Sequence, residues 1–347
     1  MTPPTTMPMQ VISSERFAEH MTPPGHPERY QRAQVLEAVA SHWRQGGGAV
    51  AAPEPASREA LERVHDPHYL DRLQGLRGHS TMLDADTFTS PETIEIATLA
   101  AGATMAAADH ALAGHGAAVA LVRPPGHHAE RDRAMGFCVY NNIAIAAAHA
   151  LAHGVSKVAI VDIDVHHGNG TQRIFYGDPR VLYVSTHQHP FYPGTGLADE
   201  VGRDEGLGFT VNVPMAAGAT DDDYLLVQHA VINPIVEAFA PDLLLVSAGF
   251  DAHERDPLGG MRVSTEGYLG VLRHLRAIAD RCCGGRIAAV TEGGYDLESL
   301  AACCLGMIQT LAGAPLPPPG RPDGPADRAQ AALARVLPNQ RAYWPGL

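Results

Sequence analysis

The sequence predicts a single-domain α/β protein with a mostly parallel central sheet. Short apolar runs of strand length recur along the chain, Ala-rich stretches of helical length separate them, and no internal repeat or composition shift marks a boundary. With 347 residues, 45% of them hydrophobic, the chain has the material for a sizeable core.

In chain order, PETIEIATLAAGATMAAADHAL (91–112) is the first long helix, and AAVALV (117–122) is a strand that runs into the Pro/Gly-fixed turn RPPGHHAE (123–130). NNIAIAAAHALAHG (141–154) forms a second helix, followed by the strands KVAIV (157–161), RVLYVS (180–185) and FTVNVP (209–214). DDDYLLVQHAVINPIVEAF (221–239) opens with aspartates, which suit the positive end of a helix dipole. DLLLVS (242–247) and RIAAVT (286–291) complete the strands. The Pro-rich stretch 313–330 reads as an irregular connection to a short last helix.

A formal charge of −13 argues against electrostatic binding to nucleic acid or an anionic membrane, and it is compatible with a cationic substrate. Cys138 stands alone, and the pairs Cys282–Cys283 and Cys303–Cys304 match neither a zinc clasp nor a disulfide framework, so a reducing compartment is expected. The opening residues MTPPTTMPMQ lack a basic and an apolar signal region, and no apolar run reaches membrane-spanning length. The expectation is a soluble cytoplasmic protein of open oligomeric state.

In parallel α/β sheets, ligands bind beyond the carboxyl ends of the strands, and the residues there are chemically unusual. In VDIDVHHGNGTQ (161–172), Asp162, Asp164 and His166 alternate with apolar residues, so an extended chain points all three to one side. Asp164 and His166 can share a metal, and AGFDAH (248–253) offers Asp251 as a third ligand. Three protein ligands leave a position open for water and substrate, as in a catalytic zinc site. His167 has the opposite parity and is read as structural. His127 and His128 suit acid–base work near neutrality. In TEGGYDLES (291–299), the glycines allow close backbone approach, and the Tyr295 phenol can donate to an oxyanion.

RPPGHHAE, GFCVYNN (136–142), DIDVHHGNGTQ, STHQHPFYPGTG (185–196), SAGFDAH and EGGYD together resemble the histone deacetylase family over about residues 15–315, which the resemblance makes the expected catalytic core, with HHGNG similar to its class II branch. The resemblance implies the three-layer α/β/α arginase–deacetylase fold. It implies zinc on Asp164, His166 and Asp251, with iron(II) able to use the same ligands. His128, supported by Asn169, would be the general base, and His127, backed by Asp162, would assist electrostatically or donate a proton. Tyr295 would bind the oxyanion. Gly136, Phe137 and Tyr192 would wall a tunnel for an acyl-lysine, with Asp86 at its rim. A structural potassium ion would use Asp162, Ser185 and the carbonyls of Asp164 and His166.

Polyamine deacetylases share these motifs. Their class II-related branch carries an acidic gatekeeper where RDPLGG (255–260) has Leu258, which favours an acylated lysine peptide or protein over an acetylated polyamine. An idle deacetylase-like sensor or scaffold would not need the full catalytic set, and a dinuclear ureohydrolase needs ligands whose positions hold the histidine pair and single aspartates instead.

Overall fold

A computed structural model describes residues 9–313, 320 and 322–347; the rest of the Pro-rich connection and the first eight residues lie outside the described residues. The strands are β1 (Gln10–Ile12), β2 (Ala49–Ala51), β3 (Thr81–Met82), β4 (Phe88–Thr89), β5 (Ala118–Ala120), β6 (Val158–Asp162), β7 (Val181–Gln188), β8 (Thr210–Met215), β9 (Leu243–Ala248) and β10 (Ile287–Thr291). β3 and β4 pair as a small hairpin. The other eight form one sheet in the order β2-β1-β5-β10-β9-β6-β7-β8, with every pairing parallel.

All six apolar runs read from the sequence become strands of this sheet. β1 and β2 were not anticipated, because three residues each are too few to show a period, and β1 lies ahead of residue 15. Alternate residues of the central strands enter opposite cores. Ala159 and Val161 pack with Leu36, Leu272 and Met307 from helices on one face, whereas Val158 and Ile160 pack with Ala100 and Ala147 from helices on the other. The result is a three-layer α/β/α sandwich.

The helices expected at 91–112 and 141–154 span Thr93–Leu112 and Asn142–Ala152. The one expected at 221–239 has a π-helical turn over Gln228–Ile232 between α-helical segments Asp221–Val227 and Asn233–Phe239. Its first turn is acidic and closed by a capping box of Thr220 and Asp223. The last helix, Asp327–Gln340, is longer than the short one expected and takes up the end of the Pro-rich stretch. Among the described residues, no helix is long and apolar enough to cross a membrane.

Strand order places the chemistry. From β5 the chain crosses over to β6, continues outward to β7 and β8, and returns through β9 and β10 to lie beside β5. The carboxyl ends of β5, β10, β9, β6 and β7 therefore sit side by side, which gathers segments distant in sequence around the switch in strand order.

Candidate active site

β6 stops at Asp162, and residues 163–166 bend instead of continuing the extended alternation read from the sequence. The bend has a local cause. Asp162 Oδ1 accepts the amide of Asp164 (3.2 Å) and Asp164 Oδ1 accepts the amide of His166 (2.9 Å), so each carboxylate satisfies a donor that a neighbouring strand would otherwise take.

The bend still delivers Asp164 and His166 to Asp251. His166 Nδ1 lies 3.1 Å from Asp164 Oδ1 and 3.1 Å from Asp251 Oδ2. One ligand atom from each of these buried residues falls within 4.8 Å of the others. Asp164 Oδ2 accepts the amide of Gly293 (2.8 Å) and Asp251 Oδ1 that of Val165 (2.8 Å). Gly293 must lack a side chain, since a Cβ there would stand 2.1 Å from Asp251 Oδ2.

Two buried carboxylates around one imidazole demand a positive charge. Burial opposes charging His166, yet its bonds to Asp164 and Asp251 push its pKa up to about 10. Burial, with the neighbouring Asp164 charge, pushes the Asp251 carboxyl up to about 7. A divalent cation held by the same three residues would supply that charge, and their mixed oxygen and nitrogen donors suit zinc with a coordination position to spare.

The histidine pair comes from the turn after β5. Glu292 Oε2 accepts the amides of Gly126 (2.6 Å) and His127 (3.2 Å), while its Oε1 accepts the Ser247 hydroxyl (3.0 Å). His127 Nδ1 donates to Asp162 Oδ2 (3.0 Å), which also accepts the Tyr183 hydroxyl (3.0 Å). Burial alone would lower the His127 pKa, but the Asp164 and Asp162 charges raise it to about 10. A cation bound to Asp164 would weaken that push.

His128 has the opposite setting. Asn169 donates through Nδ2 to Glu130 Oε1 (2.8 Å), which turns its carbonyl oxygen toward His128 Nδ1 at 2.8 Å. Nδ1 therefore carries the proton, and Nε2 keeps a lone pair. Burial, followed by charge on His127 and His166, holds the His128 pKa well below its ordinary value.

A cavity of about 230 Å³ opens over these groups, lined by His127, His128, His166 and Tyr295 together with Gly136, Phe137, Tyr192, Leu258 and Asp86 from the sequence reading. Phe137 takes φ +68°, unusual for a side chain, and its amide donates to Thr87 Oγ1 (3.0 Å). Tyr192 meets His128 edge-on at 5.2 Å between centroids. Ser185 lies outside the cavity; it aligns with Asp162 across β6 and β7 and hydrogen-bonds His187 Nδ1 (2.9 Å). His167 is structural, held by Thr195 and Gln172.

Sequence reasoning missed Phe191, whose ring stacks on His166 at 5.2 Å and 16°, although its place beside Tyr192 was a usable signal. It also missed Glu292, an acid directly before the glycine pair, and Arg32. Arg32 is fully buried, donates to the carbonyls of Gly294 (2.7 Å) and Glu292 (2.5 Å), and stands 5.0 Å from the Tyr295 ring. Nothing in its local sequence marks it.

Residues 26–311 match the sequence profile of the histone deacetylase domain. A histone deacetylase-like amidohydrolase of Pseudomonas aeruginosa is 44% identical over 263 residues, covering 75% of this chain and 69% of the relative. The polyamine deacetylase HDAC10 of Homo sapiens is 41% identical over 342 residues, covering 91% of this chain, which spans 50% of the human protein. The crystal structure of the HDA15 HD domain is similar with a TM-score of 0.90 and 37% identity, covering 98% of this chain and 96% of that one.

Proposed function

The chain belongs to the histone deacetylase family and has its arginase–deacetylase fold, and on that premise we propose that it is a zinc-dependent amidohydrolase removing acetyl or another short acyl group from lysine side chains of peptides or proteins. The observation that carries this reading is the convergence of Asp164, His166 and Asp251 with His128, His127 and Tyr295 around one narrow, aromatic-walled cavity. Zinc or iron(II) on the three ligands would supply Lewis acidity toward the substrate carbonyl and the attacking water.

The rest falls to the protein. Phe137, Phe191 and Tyr192 grip the lysine stem, whose methylenes contribute roughly 3 kcal/mol on burial at about 0.8 kcal/mol each, and keep bulk water out. His128 Nε2 takes the proton of the water, with Nδ1 anchored on Asn169. His127, held by Asp162, donates to the departing amine. Tyr295 donates its phenol proton in a hydrogen bond to the developing oxyanion. Asp86, at the mouth, accepts from the backbone of a bound peptide. Asp162 and Ser185, both buried and aligned, would hold a structural potassium ion with the carbonyls of Asp164 and His166.

Leu258 in the cavity wall favours a lysine substrate, since an apolar side chain gives a second amine no counter-charge. The 41% identity to a polyamine deacetylase supports an acetylpolyamine as the second reading. Purified enzyme loaded with zinc is therefore assayed in parallel on an acetyl-lysine peptide and an N-acetylated polyamine. Preference for the peptide is expected; preference for the polyamine overturns the substrate assignment, and turnover that survives complete chelation overturns the metal.

A further inference from the structure

Asp256, in the loop after β9, has no part in the chemistry above, yet its carboxylate is nearly closed off from solvent, the residue being 7% exposed. One oxygen, Oδ1, accepts the amide of Leu258 at 2.9 Å within its own loop. The other, Oδ2, reaches the loop after β10 and accepts the amides of Tyr295 at 2.6 Å and Asp296 at 3.3 Å. Through Leu258 and Tyr295 these loops enter the cavity wall, so a single carboxylate ties both to one point. The turn has little room to drift, because a Cβ on Gly259 would stand 1.9 Å from the Asp251 carbonyl oxygen.

We propose that Asp256 is a positioning residue that fixes Tyr295 and Leu258 relative to each other, setting the phenol for the oxyanion and the apolar wall for the substrate stem as one unit. The proposal rests on the role given to Tyr295 above. Replacement by asparagine preserves shape but leaves one acceptor oxygen where the carboxylate has two, and turns an NH₂ toward a backbone N–H. One loop must then lose its anchor.

The test is a pair of double-mutant cycles on the zinc-loaded full chain with an acetyl-lysine peptide, with zinc content measured for each variant. In the otherwise native enzyme, Asp256→Asn should lower kcat by about 10- to 100-fold, the scale of an ångström-size misplacement, with zinc retained. In the Tyr295→Phe background the same change should cost less than about twofold in kcat, and a rise in KM that Asp256→Asn causes in the native enzyme should be absent in the Leu258→Ala background, because groups acting through one another are not additive. Equal losses in native and Tyr295→Phe backgrounds overturn the proposal while leaving the tyrosine's role intact. Undiminished turnover by Tyr295→Phe alone overturns both. If Asp256→Asn does not fold, Asp256→Glu, which keeps the charge and displaces it, should give the same coupling, and additivity there is equally fatal.

Discussion

Replacing Gly136 by alanine tests how the cavity wall sets the catalytic geometry. Gly136 has φ +57°, a conformation that costs a side-chain-bearing residue about 1–2 kcal/mol. A Cβ there would lie 2.5 Å from His128 Cδ2 and 2.8 Å from its Cγ, where ordinary contact begins at 3.4 Å. The imidazole must retreat by about 1 Å, and its 2.8 Å bond to Asn169 is disturbed with it. A displacement of that size in a proton-transferring group costs about 100-fold in rate, so kcat on an acetyl-lysine peptide should fall by roughly that factor. Stability in urea should fall by about 1–2 kcal/mol. Zinc content should not change, because the three atoms nearest the added methyl all belong to His128 and none to Asp164, His166 or Asp251. The assay is steady-state kinetics with metal analysis of the same preparation. A folded, zinc-loaded Gly136→Ala enzyme with unaltered kcat would refute the claim that this glycine fixes His128.

Stripping the proposed metal should abolish turnover and lower the melting temperature, since a ligand at a hundredfold excess over its Kd contributes about 2.7 kcal/mol; scanning fluorimetry with chelator and after zinc return checks both. Leu258→Glu should move the ratio of kcat/KM values toward the acetylated polyamine by roughly tenfold, the factor given by about 1.4 kcal/mol of new ion pairing, and an unmoved ratio would remove Leu258 from substrate selection. Stability should also fall in mild acid through His65, whose Nδ1 donates to the Glu130 carbonyl and whose Nε2 accepts the Asn141 amide. Burial lowers its pKa from 6.5 to about 4, so the unfolded chain takes up the proton first. The stability it contributes is complete above pH 6.5 and is lost as pH falls toward 4, up to about 3 kcal/mol at 1.36 kcal/mol per unit. Urea titrations across that window on native and His65→Gln protein should show the slope shrinking in the variant.

The strands around the site and the residues at their ends are legible in the order of amino acids alone. A parallel strand buried on both faces reads as an unbroken apolar run, so polar residues just past Val122, Val161, Ser247 and Thr291 stand out against it. His127, His128, Asp164, His166, Asp251 and Tyr295 were legible for that reason, and the structure brings all of them to one place. The order of amino acids could not give the bend at 163–166, where short carboxylate-to-amide bonds override the alternation. Nor could it give β1 and β2, which exist only because a neighbouring strand supplies their ladder. The groups that orient the reactive side chains come from contacts between distant segments. Arg32 reaches Gly294 across 262 residues, Glu292 holds the amide of His127 across 165, and Asp256 holds that of Tyr295 across 39. A reactive side chain at a strand end marks itself by breaking a local pattern. The buried group that aims it is chosen by strand order, which places distant segments in contact and leaves no periodic trace in the chain.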